Sequence, residues 1–226
     1  KTFSIMETQH NLSKVLREVE QGREAGITRR NKLVARILPV EDETPVSFPD
    51  FAKRNLEIWG DTWSGTSSDE ALDTTRGGDE GNYDTGLLLK LYTPEKESIV
   101  VESWVKARGQ PLWFTALHRS ECFSALSLKQ FRGECTLAQC GAAMDCIAHD
   151  IAAGILNTFE PDWDRAWDRC ATLTRTHASG LGCRTLDTLH VAIALENGFR
   201  EFLSHDTRQK SLASAVGLKV TDPIDA

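Results

Sequence analysis

Asp84, Glu121, Asp187 and Asp206 are the residues whose types and settings could do chemistry together. Asp84 lies in Tyr-Asp-Thr-Gly-Leu-Leu-Leu, and Glu121 in His-Arg-Ser-Glu-Cys-Phe-Ser-Ala-Leu. Asp187 lies in Arg-Thr-Leu-Asp-Thr-Leu-His-Val-Ala-Ile-Ala-Leu, and Asp206 follows Phe-Leu-Ser-His. Carboxylates drawn close together repel, so some take up protons unless a cation joins them. A hard divalent ion removes that conflict, and Mg2+ accepts a few carboxylates while keeping several waters. Mg2+ or Mn2+ so held can orient a water, raise its acidity and offset charge developing on phosphate oxygens. Asp84 and Asp187 are the first choices for direct metal ligation, with Glu121 and Asp206 completing the catalytic site or holding metal-bound water. Thr85 and Ser204 are candidates to support the ligands from behind. Each acid also has a local reading: Asp84, Asp187 and Asp206 as helix N-caps, Glu121 as a solvated helix residue.

The elements around these acids alternate in type. Short apolar strand candidates fall around Tyr83, at 112–115, at 202–204 and at 218–220. Helical periodicity runs over 97–107, 116–131, 137–156, 163–178, 187–197 and 207–216. Strands separated by helices of this length predict a parallel sheet covered on both faces, with sites at the carboxyl ends of its strands. Every one of the four acids sits where a strand ends or a helix begins, so they could converge at one sheet edge.

Ahead of this region the chain changes character twice. Residues 1–40 carry eight bases against four acids, a net +4, while 41–82 carry eleven acids against three bases, a net −8. With −7 over the 226 residues, −3 remains for the rest. The basic head reads as a strand at Phe3-Ser4-Ile5, a helix from Glu7 to Gln21, and a hairpin with Asn31-Lys32 at its corner. So little chain makes a poor core alone, and a second copy is implied. Arg29, Arg30 and Lys32 at the tip could contact nucleic-acid phosphates or be a solvated turn.

In the acidic middle, Ser47-Phe48-Pro49-Asp50 offers a helix start. Phe48, Ala52, Leu56, Trp59 and Trp63 follow at steps of four, four, three and four, one aromatic helical face. That face packs either on its own head or into a groove of the C-terminal domain, and the second is favoured. Residues 65–82, rich in Gly, Ser, Thr and Asp, read as a flexible linker that spans roughly 60 Å when extended.

The C-terminal segments, taken together, resemble the PIN domain and, within it, the VapC-like ribonuclease toxins. The resemblance rests on Asp-Thr-Gly-Leu-Leu-Leu-Lys-Leu-Tyr, the Arg-Ser-Glu helix, Arg-Thr-Leu-Asp-Thr-Leu-His-Val-Ala and Ser-His-Asp-Thr-Arg-Gln-Lys-Ser-Leu-Ala, and covers residues 83–222. It implies a three-layer α/β/α sandwich and Mg2+- or Mn2+-dependent endoribonuclease activity on structured RNA such as tRNA or rRNA. Two departures are the polar Gly-Gly-Asp-Glu-Gly-Asn before the first strand and Ser204 in place of a more usual Thr. His118 and His190 could touch RNA or donate a proton, but a packed, hydrogen-bonded role is favoured; Trp163 and Trp167 are expected in the core.

Through Asn11-Leu12-Ser13 in the helix and Ile27-Thr28-Arg29-Arg30-Asn31-Lys32-Leu33-Val34-Ala35 in the hairpin, residues 2–64 resemble the Phd/YefM antitoxins, dimeric operator-binding proteins whose extension wraps a toxin, with a small α+β head. This implies domains at 1–45, 46–64, 65–82 and 83–226, an operator DNA partner, a homo-oligomer, and an antitoxin–toxin contact within one chain or exchanged between two. A short tether raises the local concentration of the inhibitor to about the millimolar range. The intact chain is therefore expected to be silent, with Arg54 or Arg76 near the acidic cluster. The rival reading is a DNA-binding autorepressor whose C-terminal domain is a catalytically silent scaffold. The six cysteines include no C-x-x-C pair and are expected to be reduced and packed. With no long apolar run and no signal region in Lys1-Thr2-Phe3-Ser4-Ile5, a soluble cytoplasmic protein without a membrane partner is expected.

Overall fold

The computed structural model describes residues 1–38, 46–61, 65, 67 and 85–224, which divide into two units, Lys1–Thr44 and Pro45–Ala226. Asp84, Trp63, Arg76, the strand candidate at Tyr83 and nearly all of the 65–82 linker lie outside the described residues.

In the first unit, β1 (Thr2–Ser4) leads directly into α1 (Ile5–His10) because Ser4 caps it. The Ser4 hydroxyl accepts from the Glu7 amide at 3.1 Å, and the Glu7 carboxylate accepts from the Ser4 amide at 2.7 Å, a reciprocal capping box. The single helix expected from Glu7 to Gln21 is instead two, since Asn11 at φ −134 breaks it before α2 (Leu12–Glu20). β2 (Ala25–Arg29) pairs parallel with β1 and antiparallel with β3 (Lys32–Ile37). The hairpin corner is Arg30-Asn31, one residue earlier than expected, both with positive φ (50 and 61). That left-handed pair matches the strand twist, and Asn tolerates it better than Lys, so Lys32 opens the next strand. The core is small: Phe3, Val15, Val19 and Ala25 with Ile37 against them, while Leu12, Leu16 and Val34 stay exposed.

The second unit begins with α3 (Phe51–Trp59). Its N-cap is Asp50, whose carboxylate accepts from the Lys53 amide at 2.8 Å, not Ser47. Pro49 explains the shift, because the residue before a proline is pushed to extended backbone and Phe48 cannot be helical. Starting later rotates the buried face. Phe51, Asn55 and Trp59 are buried, Phe48 is half-buried, and Ala52 and Leu56 of the expected face are exposed.

The rest of the unit is helical with short strands: α4 (Thr85–Leu89), α5 (Ser98–Arg108), β4 (Leu112–Phe114), α6 (Ala116–Phe131), α7 (Leu137–Ala152), β5 (Leu156–Thr158), α8 (Trp163–Leu173), α9 (Thr185–Glu196), β6 (Glu201–Leu203), α10 (Thr207–Ala215) and β7 (Lys219–Thr221). α8 runs on through a π-helical turn, Thr174–Ala178. The chain is therefore mixed α/β with small parallel sheets. The parallel sheet expected is present, among the described residues, as two separate pairs, β4 with β5 and β6 with β7. β5 was hidden at the end of an expected helix that stops where Gly154 turns to φ 72.

One apolar cluster joins α3 to Leu87, Leu88, Leu91, Leu126 and Ile147; a second gathers Ala166, Cys170, Phe202 and Leu212 around α9. Trp163 packs at the edge of the second, but Trp167 is exposed, because α8 buries the Ala166, Cys170, Leu173 face instead. No two cysteines are joined. No helix among the described residues is long and apolar enough to cross a membrane.

The α3 phase is directly testable. Phe51→Ala opens a cavity and is expected to cost roughly 3–5 kcal/mol, whereas Leu56→Ala stays within about 0.5 kcal/mol. Denaturant melts of the full chain measure both, and the reverse ranking rejects this buried face.

Candidate functional site

α9 is buried without a break from Asp187 through Ala194. A helix buried over successive turns is enclosed, and it carries Asp187 and His190 inside with it. Asp187 is the third residue of α9, not its cap. Its Oδ2 accepts from the Arg184 amide, closing the first turn. His190 lies one turn on, and its Nε2 is 3.1 Å from Glu121 Oε2.

Glu121 comes from the second turn of α6 and is 5% exposed, so it is not the solvated residue that its local setting allowed. The Thr85 hydroxyl donates to the same Oε2 at 2.6 Å. Thr85 thus touches the acid it was expected to support. Ser204 is equally buried, and its hydroxyl accepts from the Asp206 backbone amide at 3.0 Å, which fixes the chain at that acid. Asp206 caps α10, accepting from the Gln209 amide at 2.7 Å.

His118 is buried beside His190, ring centroids 4.7 Å apart and close to edge-on, and lies against Phe114. The Thr115 amide donates to His118 Nδ1 at 3.1 Å, which leaves the proton of the neutral ring on Nε2. Both histidines are the packed, hydrogen-bonded kind. Thr115 was missed by the sequence reading, although Thr followed three residues later by a side chain that can reach back is a capping-box signal.

Burial, then the charges of Asp187 and Asp206, push the Cys183 thiol up to about 11. The structure therefore brings together Thr85, Glu121, His190 and His118, with Asp187 one helical turn from His190. Among the described residues, no three His, Cys, Asp or Glu side chains come together as metal donors. Glu121 and Asp187 do supply hard carboxylate oxygens in a buried setting, which suits a divalent ion, and Asp84 would have to complete the set.

An open cleft of about 340 Å3 lies at the carboxyl ends of β4 and β5, lined by Phe114, Thr115, Arg119, Thr158, Phe159 and Glu160. Arg119 has no acid partner among the described residues.

Arg54 does not go to the acids. Its guanidinium grips Asp150, with both oxygens accepting at 2.8 Å. The Tyr92 hydroxyl donates to the same carboxylate at 2.8 Å. Asp150 was missed by the sequence reading. Its signal is an acid in the last turn of a helix, the wrong sign for the dipole there, between Ile147 and Ile151. In the first unit, Arg29, Arg30 and Lys32 are exposed at the hairpin tip, and none pairs with an acid among the described residues.

The chain matches no family model, no curated protein and no solved structure.

The Cys183 thiol gives a probe of the acids. Asp206→Asn keeps a capping side chain but removes a charge, so the Cys183 pKa falls from about 11 and more thiolate forms near pH 9. Iodoacetamide labelling of Cys183, followed by mass spectrometry, is expected to speed up; an unchanged rate would mean that Asp206 does not face this thiol.

Proposed function

We propose that the second unit is a divalent-metal-dependent endoribonuclease of the VapC-like PIN type, cutting tRNA- or rRNA-class substrates and restrained by the helix at its own start. The observation that carries this reading is Glu121. This carboxylate is buried to 5% exposure and held by Thr85 and by His190, which lies one helical turn from buried Asp187. Asp84, Asp187, Glu121 and Asp206 would hold Mg2+ or Mn2+. When bound, such an ion offsets the acids' charge, acidifies a water and stabilises charge on the phosphate. The protein's own contribution is positional: Thr85 and His190 set the Glu121 carboxylate, and the Arg184 amide sets Asp187. Arg119 in the neighbouring cleft offers a cation to a substrate phosphate.

Cleavage of a tRNA and rRNA mixture with Mg2+ or Mn2+ tests the proposal. Residues 82–226 alone are expected to cut, the intact chain to cut far more slowly, and Asp84→Asn or EDTA to abolish both. Residual cleavage in Asp84→Asn equal to the parent would assign the activity to a contaminant and sink the reading.

The exposed Arg29, Arg30 and Lys32 favour a second role, binding of the chain's own operator DNA by a homodimer of the first unit. Arg29→Ala/Arg30→Ala is expected to weaken DNA binding in a gel shift and to flatten its salt dependence by about two phosphate contacts. Unchanged affinity rejects it and also removes the main support for the autorepressor alternative.

A further inference from the structure

Among the described residues, the side chains of Arg54, Asn55 and Trp59 and the Ala52 amide of α3 all donate to the rest of the unit. Arg54 donates to Asp150, Asn55 Nδ2 to the Leu91 carbonyl at 3.4 Å, and Trp59 Nε1 to the Tyr92 carbonyl at 2.8 Å. The Ala52 amide donates to Glu102 Oε2 at 3.0 Å. The receiving face supplies acceptors and the helix supplies donors.

Among these acceptors Asp150 is the one that discriminates. It is fully buried and bonded to both terminal nitrogens of Arg54, whose guanidinium lies 5.6 Å from the ring centroid of Tyr92 on the receiving face and 4.8 Å from that of Phe51, which α3 itself brings. A bidentate, ring-stacked socket suits a planar guanidinium and suits a point-charge ammonium poorly. A buried ion pair adds little net stability over an apolar pair, but removing one partner strands a charge at heavy cost. The pair therefore acts as a selector: a helix without arginine at this place leaves Asp150 unanswered.

We propose that Asp150 and Tyr92 form a guanidinium socket that decides which helix the groove accepts, and that the groove binds helices of the pattern Phe-x-x-Arg-Asn-x-x-x-Trp supplied in trans as well as its own α3. The inference stands whether or not this unit cuts RNA.

The test uses the full chain carrying Arg54→Glu, which vacates the socket, and fluorescent synthetic peptides of residues 46–61 read by anisotropy. The peptide with Arg54 is expected to bind, its Arg54→Lys form about 10-fold more weakly, and its Arg54→Glu form ~100-fold more weakly or not at all. The unsubstituted chain, with α3 seated, is expected to take up little peptide. Adding Asp150→Asn to the Arg54→Glu chain is expected to erase the preference for Arg over Lys while leaving residual binding through Phe51 and Trp59. Equal binding of the Arg and Lys peptides, a preference that survives Asp150→Asn, or no binding of any peptide overturns the proposal. Circular dichroism confirms that each chain is folded, and Arg54→Ala replaces Arg54→Glu if the latter is not. A purely structural salt bridge would lower melting temperature without changing which peptide binds.

Discussion

A carboxylate withdrawn from water loses hydration worth several kcal/mol unless donors or a cation replace it. Asp150, Asp187 and Glu121 are all withdrawn in this way. Each is answered from a different part of the chain: Asp150 by Arg54 of α3 and by Tyr92, Glu121 by Thr85 and by His190 of α9, and Asp187 by the Arg184 amide. Satisfying these acids fixes where α3, α6 and α9 sit in their unit. The apolar clusters supply the driving force, which is non-directional; the acids supply the directions.

The two sets of acids have opposite consequences. At Asp150 the answer is complete and comes from a helix that reaches the rest of its unit through a separate stretch of chain, so it reads as recognition. At Glu121 and Asp187 a hydroxyl, an imidazole and a backbone amide orient the carboxylates.

The first unit is limited by size. Four buried apolar residues cannot offset the ordering of a three-stranded sheet and two helices with much to spare, and exposed Leu12, Leu16 and Val34 offer surface for a second copy. Its charges are concentrated at a tight turn of two left-handed residues, Arg30 and Asn31, which projects Arg29, Arg30 and Lys32 from a rigid hairpin.

Returning to the four carboxylates, the sequence by itself determined the local facts. The ends of α6, the cap of α10 at Asp206 and the hairpin follow from periodicity, capping chemistry and turn preference, which act over a few residues, while the choice of the four acids rests on the resemblance of their segments to a known family. Proline at position 49 was also legible, yet its effect on the phase of α3 was missed, and with it the burial of Phe51 and Asn55. What only the tertiary structure decided is pairing across long separations. Arg54 meets Asp150 across 96 residues and His190 meets Glu121 across 69. Nothing in the spacing of either pair marks it, because such contacts depend on which faces the apolar clusters bring together and on which buried charge each donor can reach.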